Sequence, residues 1–314
     1  MGERARTYLG VEVGGTKLQI VAADSSGRVI ARWRQAADRA GGGRAIARQI
    51  AAGVELVAAE TGPLAVGVGF GGPVDWKAGR ICRSHQIEGW EDFPIGQWLT
   101  EHSGLPVVVE NDSNCAALAE ATLGAGAGLD PVFYFNLGSG VGGGIVIGGD
   151  VYHGLAPGEA EFGHLRLDRT GATVESRCSG WAVDQRIRAL SGAQPEGVLA
   201  GLIGTNPGGE SRHLAEGIEK RDPLARQVID ELADDLAFAL SHAVHLMHPA
   251  VIVMGGGLSL IGEPLRHAIA EALPKYVMEA FLPAMPLRLA KLAEDAVPIG
   301  AALLAGSGRM QNAK

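Results

Sequence analysis

Only three cysteines, Cys82, Cys115 and Cys178, are scattered over 314 residues, and no two form a CxxC pair. That usage excludes a disulfide framework and a zinc finger, and it fits a reducing compartment, so a cytoplasmic protein is expected. Basic residues are also few: 27 Lys and Arg stand against 35 Asp and Glu, a formal net charge of -8. Surfaces that track nucleic-acid phosphates concentrate the opposite charge, so no nucleic-acid partner is expected. No long clean hydrophobic run occurs. The most apolar stretch, Leu236 to Met254, is interrupted by His242, His245, His248 and Pro249; it reads as a buried helix followed by a strand, so no membrane association is expected. Met1 to Arg6 has no apolar core of the kind a signal peptide needs.

Glycine, in contrast, is abundant, at 47 residues, and two glycine-bearing stretches nearly repeat each other. Tyr8 to Val13, Gly14-Gly15-Thr16-Lys17 and Leu18 to Val21 read as strand, turn, strand; so do Val132 to Leu137, Gly138-Ser139-Gly140 and Val141 to Ile147. Turns without β-carbons leave backbone N–H groups bare, and such a nest accepts an anion. Better-known glycine motifs fail on context. A P-loop needs Gly-Lys-Ser/Thr opening a helix, whereas here the order is Gly15-Thr16-Lys17 and a strand follows. Gly138 to Gly143 and Gly67 to Gly72 both fit G-x-G-x-x-G, but the first runs into Ile145-Val146-Ile147 and the second meets Pro73, so neither opens a dinucleotide-binding helix. An ordinary hairpin remains the alternative for either turn taken alone. Two of them suggest two lobes holding one phosphate chain.

The length suits about two domains. Arg28 to Gln35 can extend the first hairpin, Ile46, Ile50, Val54 and Val57 recur at helical spacing, and Leu64 to Gly69 returns to strand. Asp92 to Gly104 predicts a helix capped by Asp92, followed by a strand at Pro106 to Val109 and a helix from Asn114 to Leu123. Beyond the second hairpin, helices are expected from about Glu175, over Leu224 to Met247 and over Leu258 to Leu273. A buried strand, Val251 to Met254, runs into Gly255-Gly256-Gly257, the setting in which open α/β sheets hold ligands. The expected division is a small α/β lobe over 1–112, with a C-terminal helix over 299–314 returning to it, and a larger lobe over 113–298.

Asp112 stands at the end of Val107-Val108-Val109 and at the mouth of a helix, where it is either a functional carboxylate or that helix's N-cap. Glu161 and His164, in Glu161-Phe162-Gly163-His164, can each grip a polyol hydroxyl, or can be a solvated acid and a structural imidazole. Glu175 can do the same or complement a helix dipole. His242, His245 and His248 partly share a helical face, but His248-Pro249 reads as the end of that helix, so no metal is assigned to them.

Taken in order, six motifs resemble the ROK sugar kinases, a family of bacterial glucokinases, fructokinases, N-acetylhexosamine kinases and sugar-responsive repressors. They are Gly14 to Lys17, Gly69 to Asp75, Glu110-Asn111-Asp112-Ser113-Asn114-Cys115-Ala116-Ala117, Gly138 to Gly144, Glu161 to His164, and Met254 to Gly257, and they span the chain nearly end to end. The resemblance implies an α/β, actin-like, hexokinase-type fold with two duplicated mixed-sheet lobes around a cleft. It implies ATP with Mg²⁺ as cofactor, a hexose as substrate, and a homodimer. By resemblance Asp112 is the general base, and Gly71, Gly72, Asn111, Asp112, Glu161, His164 and Glu175 line or hold the sugar. The two hairpins, with Glu12, Gly14, Gly15, Thr16, Lys17, Gly138, Ser139 and Gly140, hold the phosphates, and Gly255, Gly256 and Gly257 face the adenosine.

Two departures from the family pattern stand out. Many members bind zinc through a histidine matching His164 and three cysteines just before the glutamate matching Glu175; here Leu165 to Val174 has none and Cys178 follows the glutamate. No structural zinc is therefore expected, with the short loop held by packing. Glu12 stands where many relatives have Asp, although fructokinase-like members also carry Glu. The reading is phosphorylation of a hexose hydroxyl, glucose 6-OH first. The alternatives are a polyphosphate donor, or a sugar-sensing module without catalysis; only seven residues precede the first strand, whereas the repressors carry a DNA-binding domain there.

Overall fold

The computed structural model describes residues 6–84, 87–193, 195–205 and 207–307. The first hairpin forms as expected: β1 (Thr7–Val13) pairs antiparallel with β2 (Lys17–Asp24), and β3 (Val29–Ala36) extends it. Helix α1 (Gly42–Thr61) buries Ile46, Ile50, Val54 and Val57 along one stripe, the spacing of an amphipathic helix. Strand β4 (Val66–Phe70) is buried at every residue, as a central parallel strand is. A short ribbon follows, β5 (Val74–Asp75) with β6 (Arg80–Ile81), then α2 (Ile95–Ser103), β7 (Val107–Asn111) and α3 (Asp112–Thr122).

The second half repeats the plan. Strands β8 (Val132–Leu137), β9 (Val141–Ile147) and β10 (Asp150–Val151) precede helices α4 (Val174–Cys178), α5 (Gly180–Ala193), α6 (Val198–Leu202), α7 (Leu214–Glu219) and α8 (Pro223–Met247). Strand β11 (Val251–Gly255), α9 (Glu263–Ala272), β12 (Leu287–Leu289) and α10 (Ala296–Gly306) complete the chain. The sheets run β3-β2-β1-β4-β7 and β10-β9-β8-β11-β12. Each is an antiparallel run continued by two parallel strands, β4 and β7 in one, β11 and β12 in the other. This matched strand order bears out the expected α/β class with duplicated mixed sheets. Two compact units emerge: one takes the chain up to Gly124, Gly144–Ala160 and the segment from Glu294 onward; the other takes Ala125–Gly143 and Glu161–Ala293.

Local chemistry explains both ends of α8. Asp222 accepts the Ala225 N–H at 2.9 Å and Pro223 follows it, which starts α8; His248, at φ 44°, ends it in a left-handed cap. Several expected helices differ from their sequence reading. Helix α2 begins only at Ile95, because Asp92 sits at φ 53° and gives its carboxylate to Arg80 Nη2 at 2.6 Å instead of capping. The helix expected over Leu258 to Leu273 is broken at Gly262, φ 79°, into a 3₁₀ segment and α9. The expected C-terminal helix begins at Ala296 and is described to Gly306, while 308–314 lie outside the described residues. No helix among the described residues is long and apolar enough to cross a membrane.

Helix α10 lies on the first sheet backbone to backbone. A Cβ on Gly10 of β1 would stand 1.7 Å from the Pro298 carbonyl oxygen, and one on Gly67 of β4 would stand 1.9 Å from that of Ala301. The helix's own Gly300 meets α3 as closely, 1.8 Å from the Cys115 oxygen. Gly10→Ala is therefore expected to destabilise the protein by roughly 3 kcal/mol, because the added methyl meets a carbonyl that cannot move without its helix. Gly192→Ala, in α5 with open space around it, is expected to raise the unfolding midpoint slightly through helix propensity. Thermal unfolding of both variants checks the contrast.

Candidate active site

In the first unit the end of β1, the loop after β4 and the β7–α3 junction meet. Gly14 N–H donates to the Lys17 oxygen at 3.1 Å, closing the first glycine turn. Gly15 and Thr16 N–H groups have no partner among the described residues, so this turn keeps two open donors. Gly71 N–H donates to the Val13 oxygen at 3.3 Å. A Cβ on Gly71 would stand 3.1 Å from Asp112 Oδ2, so the loop passes close over that carboxylate.

Asp112 is the first residue of α3, and it is not its cap. The cap is Asn111, whose Oδ1 accepts Ser113 N–H at 2.8 Å and Asn114 N–H at 3.2 Å. Asn111 Nδ2 also donates to the Gly72 oxygen at 3.2 Å. Asp112 is left with its carboxylate at the positive end of α3, where a negative charge is favoured, accepting a 3.1 Å hydrogen bond from Ser113 Oγ.

Glu12 faces the same place. Its Oε2 is solvent-inaccessible, accepts no hydrogen bond, and lies 3.7 Å from Lys17 Nζ. Burial pushes its carboxyl up to about 7; Lys17 opposes the rise, and the charges of Asp112 and Glu294 add to it. Lys17 is itself shared, with Glu294 Oε2 at 3.8 Å. A buried carboxylate oxygen without a hydrogen bond, beside a second carboxylate, suits a cation or its bound water. Among the described residues no three His, Cys, Asp or Glu side chains cluster as metal ligands.

In the second unit, Asn136 Oδ1 accepts Gly142 N–H at 2.7 Å, and Gly138 N–H bonds the Gly140 oxygen at 2.9 Å. Ser139 and Gly140 N–H groups have no partner among the described residues. The two hairpins thus each keep two adjacent open donors, fewer than a fully bare turn would offer. Glu175, one residue into α4, accepts Val141 N–H at 2.9 Å through Oε2. A Cβ on Gly140 would stand 2.6 Å from that oxygen, so the turn tolerates only glycine there without displacing Glu175. Beside the hydroxyl-gripping role implied by resemblance, this carboxylate also holds the glycine turn in place.

Glu161 and His164 flank the 3₁₀ turn Phe162–His164, anchored by Phe162 against Phe133 and Phe135 at centroid distances of 5.4 and 5.5 Å. Their side chains are 50 % and 73 % exposed, and Nε2 lies 3.9 Å from Oε2, so both present polar tips to solvent from a rigid base. The loop from Leu165 to Thr173 is held by hydrogen bonds, not by the packing expected. Asp168 Oδ1 accepts the N–H groups of Thr170, Gly171 and Ala172, and Arg166 donates to the Gly171 oxygen. Cys178 is buried at the end of α4, its thiol pushed up to about 12 by burial and the nearby Asp235. Gly256 packs where a Cβ would stand 2.6 Å from Leu137 N, which sets the third glycine run against the base of the second hairpin.

Sequence reasoning missed a neighbour of this site. His153 Nε2 approaches Glu110 Oε2 at 2.5 Å, and its ring stacks on Trp76. Nothing in the local pattern around His153 signals the contact, because its partner lies 43 residues away.

The sequence pattern of the ROK family matches residues 8–307. A glucokinase of Halalkalibacterium halodurans is 30% identical over 310 residues, covering 94% of this chain and 93% of its own. Among solved structures, a ROK family glucokinase from Streptomyces griseus in complex with glucose and AMPPNP superposes with a TM-score of 0.85 at 32% identity, over 96% of this chain and 100% of that one. A ROK hexokinase from Thermus thermophilus gives 0.80 at 32%, over 96% and 98%.

Because Glu12 holds its proton more tightly when folded than its ordinary 4.5, its contribution to stability is fully present below pH 4.5 and is lost as pH rises through about 7. Glu12→Gln is therefore expected to gain stability relative to the parent protein between pH 5 and pH 8, by up to about 3 kcal/mol. Denaturant unfolding at the two pH values checks this; a gain that is the same at both would contradict the buried-carboxylate account.

Proposed function

We propose, from the premise that this chain belongs to the ROK family, that it transfers the terminal phosphoryl group of ATP to a hexose hydroxyl, with the glucose 6-OH as first choice. The observation that carries the reading is the division of labour at the head of α3. Asn111 takes over the capping, which leaves Asp112 as a carboxylate at the sheet's C-terminal edge, under Gly71. The glucose and AMPPNP held by the Streptomyces griseus relative support the substrate and donor classes.

In this mechanism Asn111, Glu161, His164 and the second oxygen of Glu175 hold sugar hydroxyls, with Gly71 and Gly72 forming the wall beside Asp112. Asp112 takes the proton of the attacking hydroxyl as the new O–P bond forms and the bond to the ADP oxygen breaks. A hydroxyl is a very weak acid, so a carboxylate needs no raised pKa for a transfer concerted with P–O bond formation. Open N–H groups of Gly15 and Thr16 are assigned to the transferred phosphate and those of Ser139 and Gly140 to the rest of the chain, where fixed donors stabilise developing charge. Gly255 to Gly257 are assigned to the adenosine. Glu12, ionised and backed by Lys17, would hold Mg²⁺ through its waters, and the chemistry supplied by that ion is neutralisation of the phosphate oxygens.

Sugar phosphate formation with a panel of glucose, mannose, fructose and N-acetylated hexoses, measured with ATP and separately with polyphosphate as donor, tests both substrate and donor. Asp112→Asn is expected to lower turnover by about 10²- to 10⁴-fold while calorimetry still registers sugar binding. Near-normal turnover would remove Asp112 as the base.

A further inference from the structure

We propose that Glu110 and His153 form a positioning pair that sets the β7–α3 turn and, through it, Asp112. The inference rests on the kinase reading above, but its observations are separate ones. Glu110 is 4% exposed, and both its oxygens are engaged. Oε1 accepts the Asn111 N–H at 2.9 Å and Asn114 Nδ2 at 3.0 Å; Oε2 accepts the His153 ring at 2.5 Å. One carboxylate thereby grips the backbone immediately before Asp112 and the side chain two residues after it.

His153 is held in turn by Trp76. Its ring lies 4.1 Å from the Trp76 ring, centroid to centroid, at an interplanar angle of 20°, so the direction of Nε2 is fixed by stacking rather than by rotamer choice alone. A second clip holds the same segment: Asn114 Nδ2 also donates to the Gly158 oxygen at 3.3 Å. Between the clips the segment folds back tightly, for a Cβ on Gly158 would stand 2.2 Å from the His153 oxygen. Its next residue, Glu159, accepts the Val74 N–H at 2.9 Å, two residues before Trp76. The stretch from His153 to Glu159 thus braces Glu110 against the β5 strand.

A buried carboxylate stripped of its strongest donor reorganises to recover one, because an unsatisfied charged oxygen is costly. Removing His153 therefore releases Glu110 from Asn111 N–H, and the cap geometry around Asp112 loosens. Proton abstraction depends on placement to a fraction of an ångström, so the effect falls on turnover more than on nucleotide affinity.

The test uses the whole chain with His153→Ala and His153→Gln, since the glutamine amide can still donate to Glu110. In the alanine variant kcat is expected to fall about tenfold or more, with KM for the nucleotide within about twofold, and amide exchange is expected to quicken in the peptide over 108–116. The glutamine variant is expected to restore both. Unchanged exchange over 108–116 in His153→Ala overturns the proposal, as does exchange quickened throughout the chain with a lowered unfolding midpoint, which marks general loosening. If the parent protein shows no sugar-dependent turnover, the kinase reading fails, and the exchange result alone decides the pair.

Discussion

The contact of α10 with the first sheet is the constraint on which the rest of that unit depends. A helix carried at ordinary distance by side chains would sit near 10 Å from a sheet. Here Gly10 and Gly67 remove the spacer, and the carbonyls of Pro298 and Ala301 come down onto β1 and β4. Gly300 lets the same helix seat against Cys115 of α3. The start of α3 is thereby held against the end of the sheet, where Val13 accepts Gly71 and where Glu12 and Asp112 sense each other's charge. Bulk at any of the three glycines would separate groups whose use requires closeness.

That closeness has an electrostatic cost. Two carboxylates, Glu12 and Asp112, share a poorly solvated corner, and Lys17 compensates only in part because Glu294 also claims it. Buried carboxylates that lack full compensation are costly to a fold. The helix end below Asp112 lowers the cost, and Asn111 takes the capping in its place. Glu175 plays a related part in the second unit, where its negative oxygen rests on the N–H of a glycine turn.

Much of this was legible beforehand. The periodicity of Ile46, Ile50, Val54 and Val57, the strand-turn-strand pattern of both hairpins, and the glycine runs at Gly14, Gly138 and Gly255 are local signals, and local signals survive without knowledge of the fold. Boundaries failed where distant partners competed. Asp92 had the chemistry of a cap but gave its carboxylate to Arg80, and the loop from Leu165 to Thr173 proved to be organised by Asp168. Nor could spacing tell which of Asn111 and Asp112 caps α3, since both residues favour that position and differ only in backbone angle.

The sequence by itself determined the alternation of strands and helices, the two glycine hairpins, the inventory of carboxylates and imidazoles, and membership of the ROK family, because these depend on residue type and near-neighbour spacing. Only the tertiary structure decided that Asn111 caps and Asp112 does not, that Glu12 is buried with its proton held up to about 7, and that His153 answers Glu110. Those outcomes turn on desolvation and on contacts between residues far apart in the chain, quantities that exist only once the backbone has closed around them.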